Sequence, residues 1–265
     1  MSLLQGPREG YPAGHSVITT TDDESGVALS VLKLDAESSL TPSRETAWLL
    51  ISGELEVEVG GKTQTLVRRS VFDDSPSAVH VAAGTAVGFA PKDPVELLQC
   101  ETANTRAFAP VVYAAAGVKD EHRGRGKVQD AAFRFVRTVF DGTNAPPEAE
   151  LVLGEVVNFP GRWSSYPPHH HPQPELYHYR FSDPRGYGHA ELGEQVLKVR
   201  HCDTLRILRG VDHPQCAAPG YAMYYAWVIR HLPGARYVGP EFNPEHTWTM
   251  DEEAPTWWPK GVPRK

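Results

Sequence analysis

Seven of the twelve histidines fall between His169 and His213, and imidazoles gathered in this way can bind a metal ion or carry a proton near neutral pH. Residues 166–175 read Tyr-Pro-Pro-His-His-His-Pro-Gln-Pro-Glu, a His-x-His followed four residues later by a glutamate. Residues two apart on a strand share a face, so His169 and His171 can chelate one ion while His170 points away. The turn at Pro172-Gln173-Pro174 can return Glu175 to the same ion from the next strand. A fourth ligand is available in Gly210-Val211-Asp212-His213, where glycine permits the bend that aims the histidine inward. Three neutral imidazoles and one carboxylate suit a divalent ion, Zn, Mn, Fe, Co or Ni, and an octahedral ion held this way keeps two adjacent positions for a chelating substrate. A lone His-x-His reads equally well as an exposed histidine turn. The offset of Glu175 and the Gly-x-x-His downstream favour the metal site.

Such ligands need strands to hold them, and strands dominate the pattern. Glu54-Leu55-Glu56-Val57-Glu58-Val59 alternates with period two, Gly60-Gly61 turns the chain, and Lys62-Thr63-Gln64-Thr65-Leu66-Val67 returns it, which predicts a hairpin. Short β-rich runs follow at Ala78-Val79-His80-Val81 and Ala86-Val87-Gly88-Phe89. Beyond residue 130 the style repeats, with Phe133–Phe140 alternating and Leu151–Val157 opening another series. Glycine and proline number 23 each in 265 residues, a turn-rich content that favours many short strands over long helices. The one weak helical prediction lies at Pro146-Pro147-Glu148-Ala149-Glu150. The charged stretch Lys119-Asp120-Glu121-His122-Arg123-Gly124-Arg125-Gly126-Lys127 breaks the apolar pattern; it reads as a solvated connector, with an anionic-ligand loop as the alternative. The expected division is therefore 1–130, a β domain without a metal site, and 131–265, a β domain with one. His80, alone in its strand, reads as a packed or exposed strand residue.

A net charge of −7 provides no positive field for nucleic acid or anionic lipid, and no apolar run approaches the ~18 residues that span a bilayer. Neither nucleic acid nor membrane is an expected partner, and a cytoplasmic location is the expectation. Cys100, Cys202 and Cys216 are too few and too scattered for a disulfide framework or a cysteine zinc site, so packing is their expected role.

His-x-His-x-x-x-Glu followed by Gly-x-x-His resembles the two metal-binding motifs of the cupin superfamily, and two similar β halves resemble a bicupin, an all-β pair of jelly-roll barrels. Further segments are similar to the 5-deoxy-glucuronate isomerase family of myo-inositol catabolism: Arg68-Arg69-Ser70-Val71-Phe72-Asp73, Ser165-Tyr166-Pro167-Pro168-His169, Arg185-Gly186-Tyr187-Gly188, His213-Pro214, Pro219-Gly220-Tyr221-Ala222-Met223-Tyr224-Tyr225 and Asn243-Pro244-Glu245-His246-Thr247-Trp248. The resemblance runs from about Gly53 to Trp248. It implies a metal-dependent aldose–ketose isomerisation of 5-deoxy-D-glucuronate, a small sugar acid, to 5-dehydro-2-deoxy-D-gluconate. Moving hydrogen between C2 and C1 needs a Lewis acid and a general base.

The sequence does not single out the general base: Tyr177, His178, Tyr187 and Tyr225 flank the ligands as candidates, Tyr177 sharing the Glu175 face, and Glu175 itself can double as ligand and base. Arg180 and Arg185, with Tyr187 beside them, are expected to bind the substrate, the arginines through a guanidinium fork on its carboxylate. Core packing competes for each tyrosine and a surface position for each arginine. One metal ion per chain is expected, in the second half, with the first half as scaffold and as the interface of a homo-oligomer. Competing readings are a ketol-isomerase of 4-deoxy-5-keto-hexuronates, a cupin dioxygenase, and a sugar-acid binding module without catalysis.

Overall fold

In the computed structural model, which describes residues 2–208 and 210–263, short strands account for the regular structure apart from three 3-10 turns, Ala115–Gly117, Val128–Asp130 and Thr247–Met250. The first half forms one sheet system ordered Val111–Tyr113, Ala78–Val81, Glu45–Val59, Val95–Thr102, Val27–Leu34, Gly14–Thr19. The far end of the long strand Glu45–Val59 leaves that sheet to pair with Lys62–Arg68 and Val87–Pro91. It bends at a register shift between Leu50 and Ser52, a bulge that lets one strand serve two layers. Gly53 follows at φ +104°, and a Cβ there would stand 2.6 Å from Val95 Cγ1, so the bend has no room for another residue type. The expected hairpin is present, with Gly60 at φ 59° and Gly61 at φ 71° making the turn, as a two-residue hairpin loop requires.

The second half is a barrel of two sheets. Its larger sheet runs Leu3–Leu4, Thr204–Ile207, Glu175–Phe181, Met223–Arg230, Leu151–Asn158, Arg134–Phe140, Glu121–Arg123, and the smaller runs Trp163–Ser164, Gln215–Ala217, Tyr187–Leu192, Gln195–Arg200. Sheet membership does not follow the chain at residue 130: Leu3–Leu4 crosses to pair with Thr204–Ile207, and Glu121–Arg123 pairs with Arg134–Phe140. The stretch read as a solvated connector thus contains an edge strand, too short and too charged to show a period.

Residues 146–150 are not helical. They form a turn in which the Ala149 N–H donates to the Pro146 carbonyl at 2.9 Å, the consecutive prolines having no amide to extend a helix. Among the described residues no helix is long and apolar enough to cross a membrane. All three cysteines are free, Cys100 and Cys202 buried and Cys216 half-buried.

Strand alternation sorts the core into three layers. Trp48, Leu50, Leu55 and Phe89 fill the first half, and Tyr177, Tyr179, Leu205 and Tyr225 fill the second. Between them Leu29, Leu49 and Leu98 of the first half pack against Leu153, Leu176, Tyr224 and Val228 of the second. On the strand Glu175–Phe181, odd-numbered residues enter the barrel and Leu176 enters this shared layer.

The shared layer also holds charge. Glu155 accepts from Arg68 at 2.6 Å, from Arg137 at 3.0 Å and from the Tyr224 hydroxyl at 2.9 Å. Arg68 further donates to the Leu50 carbonyl, and Arg137 to those of Val71 and Asp74. The Arg68–Asp73 segment is thereby bound to the second half, and its role is to join the halves.

Candidate metal centre

The turn that leaves His169–His170 and enters Glu175–Phe181 carries two of the predicted ligands, and the loop before Gln215–Ala217 carries a third. His171 and His213 present Nε2 to one carboxylate oxygen, Glu175 Oε2, at 3.2 and 3.5 Å. All three side chains are buried, at 4, 3 and 1% exposure for His171, Glu175 and His213. Each ring is oriented by its other nitrogen. His171 Nδ1 lies 3.0 Å from the Gln173 carbonyl and His213 Nδ1 lies 2.9 Å from that of Val211, contacts that only an N–H can satisfy. The Nε2 lone pairs are then directed at the space beside Glu175, the arrangement in which backbone carbonyls orient metal-binding histidines. His213 Nε2 has no hydrogen-bond partner although it is fully buried.

These residues fit a metal ion. Donors sharing an ion at about 2.1 Å stand about 3 Å apart, close to the 3.2 and 3.5 Å that separate the glutamate oxygen from each nitrogen, all three donors lie within 4.8 Å of one another, and an orphaned buried nitrogen is costly unless something fills the space before it. His169 stands at the edge of this group. Its ring centroid is 4.8 Å from that of His213 and its Nδ1 lies 3.2 Å from the Pro167 carbonyl, but the close set of donor atoms comprises His171, Glu175 and His213. Burial and then the His213 imidazole push His169 down to about 2, and burial likewise lowers His213, so both rings are neutral, as metal binding requires. His170 points away and pairs with Asp212 at 2.9 Å.

Two of the predicted tyrosines enter the barrel beside the ligands. Tyr177 and Tyr225 stack at 4.4 Å, and Ser165 Oγ bridges their hydroxyls at 3.2 and 3.1 Å. Tyr225 also reaches Ser164 Oγ at 3.0 Å. Ser165 holds φ +51°, an uncommon left-handed position for a residue other than glycine. Burial drives the Tyr177 phenol well above its ordinary range and Tyr225 up to about 12. Both remain protonated at physiological pH, as hydrogen-bond donors and not as phenolate bases.

The other predicted residues lie elsewhere. His178 and Arg180 fall on the even-numbered face of their strand, where Arg180 pairs with Glu96 of the first half and His178 Nδ1 meets Thr204 Oγ1 at 2.8 Å; alternation turns both away from the ligands. Arg185 is 80% exposed and forks onto Asp183, two residues before it in the same turn. Tyr187 stands on the outer face of its strand beneath Lys198, whose Nζ is 3.9 Å from the ring centroid, while Gly188 and Ala190 point inward.

A small cavity of about 70 Å³ opens on the ligands, walled by Arg134, Ser165, Tyr177, Trp227 and Tyr237. An adjoining cavity of about 310 Å³ shares Arg123, Arg134 and His169 with it and is lined also by Arg125 and Lys127, with no acidic residue among its described walls. Such a lining attracts anions.

The KduI/IolB family model matches residues 6–249. The chain belongs to that family. A Lacticaseibacillus casei protein named 5-deoxy-glucuronate isomerase is 26% identical over 249 residues, covering 85% of this chain and 88% of its own. An IolB-like protein of Salmonella typhimurium LT2 has a structure similar to this one at TM-score 0.81 and 21% identity, covering 95% of this chain and 100% of its own. A cupin 2 conserved barrel domain protein of Leptotrichia buccalis superposes at TM-score 0.50 and 14% identity over 84% of this chain and 93% of its own. The fold is that of the cupins, as the His-x-His motif and the doubled β pattern imply.

In this KduI/IolB-family chain, the basic wall includes Arg123, Arg125 and Lys127 of the stretch whose alternative reading was an anionic-ligand loop, whereas Arg134 was not among the expected site residues. Arg134 precedes Val136 in the alternation of its strand, and that period marks it as facing inward. Tyr237 gave no such signal, because it lies outside the regular strands.

Proposed function

We propose that this protein is a metal-dependent aldose–ketose isomerase that converts 5-deoxy-D-glucuronate to 5-dehydro-2-deoxy-D-gluconate. The observation that carries this reading is the convergence of His171 Nε2, His213 Nε2 and Glu175 Oε2 at the floor of a basic cavity beside Tyr177. The relatives named 5-deoxy-glucuronate isomerase support it. His171, Glu175 and His213, with His169 adjoining, would hold one divalent ion, Zn, Mn, Fe, Co or Ni, which when bound supplies Lewis-acid polarisation of the substrate carbonyl.

The chain supplies the rest. Glu175 Oε2 faces both imidazoles, which leaves Oε1 to take the C2 proton and return it at C1, the transfer an aldose–ketose isomerisation requires. The Tyr177 hydroxyl, kept neutral by burial, donates to the oxygen that gains charge as that proton leaves. Ser165 and Tyr225 fix the direction of that hydroxyl. Trp227 and Tyr237 narrow the cavity and limit water. The centre is carried by the second half, residues 131–265, with Glu121–Arg123 added, while the first half braces its outer face.

The test is proton NMR of metal-replete protein with 5-deoxy-D-glucuronate in heavy water without oxygen, beside a chelator-treated control. Metal-dependent growth of the ketose is expected. Turnover of a 4-deoxy-5-keto-hexuronate instead would move the substrate assignment, and binding without any turnover would remove the isomerase.

A further inference from the structure

We propose that Arg134 recognises the carboxylate of the substrate, holding the acid end of an open-chain sugar acid at the cavity wall while the carbonyl end reaches the metal ligands. This rests on the isomerase reading and assigns a residue to its substrate specificity.

Four arginines among the described residues are more than nine-tenths buried: Arg68, Arg134, Arg137 and Arg180. Three of them meet carboxylates, Arg68 and Arg137 at Glu155 and Arg180 at Glu96. Arg134 differs. It is 6% exposed, its Nη1 donates to the Ala132 carbonyl at 2.8 Å, its Nε has no partner, and among the described residues it forms no ion pair. A buried guanidinium without a counter-ion is costly, and burial lowers this one to about 10. Its location shows what would complete it. Arg134 lines both the cavity over the metal ligands and the cavity adjoining it. Glu175 is the one carboxylate of the inner cavity, and it is engaged with His171 and His213.

The loop after Glu121–Arg123 is shaped to this arginine. Gly124 has φ +74°, and a Cβ there would stand 2.4 Å from the Ala132 carbonyl oxygen and 3.2 Å from Arg134 Nη1. Glycine thus lets the backbone close against the carbonyl and the guanidinium that it holds. A guanidinium with an unpartnered Nε in the wall of a cavity matches a carboxylate.

The experiment compares two sugars on manganese-loaded wild type, Arg134→Gln and Arg134→Lys: 5-deoxy-D-glucuronate, and 5-deoxy-D-glucose, in which a hydroxymethyl group replaces the carboxylate. Wild type is expected to prefer the acid. Arg134→Gln should raise KM for the acid roughly 10- to 100-fold, move the values for the neutral sugar far less, and keep its manganese. Arg134→Lys should recover part of the loss. Equal losses on both sugars, or an acid preference that survives in Arg134→Gln, would overturn the assignment.

Calorimetric binding of D-glucuronate against D-glucose separates this inference from the isomerase reading. If wild type turns over neither deoxy sugar, the reaction is wrong. Arg134-dependent selectivity for the acid in binding would still sustain the recognition role, and binding without such selectivity would end it.

Discussion

Each half of the protein buries a glutamate against a histidine, but the surrounding donors differ. In the first half Glu45 accepts from His80 Nε2 at 2.9 Å, Asn104 Nδ2 at 2.7 Å and the amides of Glu150 and Leu151 at 2.8 and 2.9 Å. The His80 ring lies flat on Phe140 at 4.4 Å, with Phe108 and Tyr113 also against it. The protein itself supplies every partner Glu45 needs, and two come from the second half, so the pair ties the halves together. In the second half Glu175 faces two imidazoles whose Nδ1 atoms are already engaged by backbone carbonyls. The same residue types therefore make a structural latch where the carboxylate's donors are complete and a single imidazole nitrogen, His80 Nδ1, is left alone, and a candidate metal centre where two imidazole lone pairs converge on one carboxylate.

Removing a ligand should produce the largest effect. His213→Ala is expected to leave the fold intact, to lose the metal on dialysis, and to bring turnover down to the chelator-treated background; metal analysis showing full occupancy in this variant would remove His213 from the centre. Next comes the paired test of the two glutamates. Glu45→Ala leaves several buried donors without their acceptor and should lower unfolding stability by about 3–5 kcal/mol. Glu175→Gln should lose metal with little change in the stability of the metal-free protein, because it removes a charge that only the ion satisfies. Denaturant melts of the two apo-proteins decide this, and equal destabilisation would erase the distinction between the halves.

Tyr177→Phe is expected to cost roughly 100-fold in kcat with metal retained, a typical loss for a group that donates in acid–base chemistry. An unchanged kcat would assign Tyr177 to packing alone.

The smallest effect is on pH. Burial first, and Arg180 next, hold His178 well below the usual imidazole range, and burial sets His201 and His231 to about 4. Their unfolded forms bind protons near 6.5. The unfolded chain then gains more protons as acid is added, so stability must decrease as pH falls from above 6.5 toward 4. Glu45, held below the usual carboxylate range by His80, Asn104 and Leu151 against the opposing effect of its burial, extends that loss at lower pH. Melting temperatures of the metal-free protein should fall across this window, and a flat or rising profile would contradict the burial of these imidazoles as neutral groups.

How far the sequence was legible depends on whether a signal was local. The hairpin at Gly60-Gly61 follows from period, and of the four ligands expected from spacing, His171, Glu175 and His213 lie together while His169 stands at their edge. The outward aim of His170 also follows from period. Strand alternation also separates Tyr177 from His178, yet proximity to the ligands made His178, Arg180, Arg185 and Tyr187 candidates although their faces or turns direct them away. What the sequence hid is what arises between elements: the crossing of Leu3–Leu4 to Thr204–Ile207, the Glu155 cluster of Arg68, Arg137 and Tyr224, and the closure of the Gly124 loop on Arg134. Each joins residues distant in the chain, where no periodicity connects them.

If convergence of free lone pairs, and not the mere presence of histidine and glutamate, selects the half that binds an ion, the metal must sit in the second half alone. Anomalous diffraction from manganese-loaded crystals tests it directly. One peak per chain is expected, bounded by His171 Nε2, His213 Nε2 and the Glu175 carboxylate, with none beside Glu45. A peak at His80 and Glu45, or a fully loaded protein with no peak at the second-half site, would contradict it.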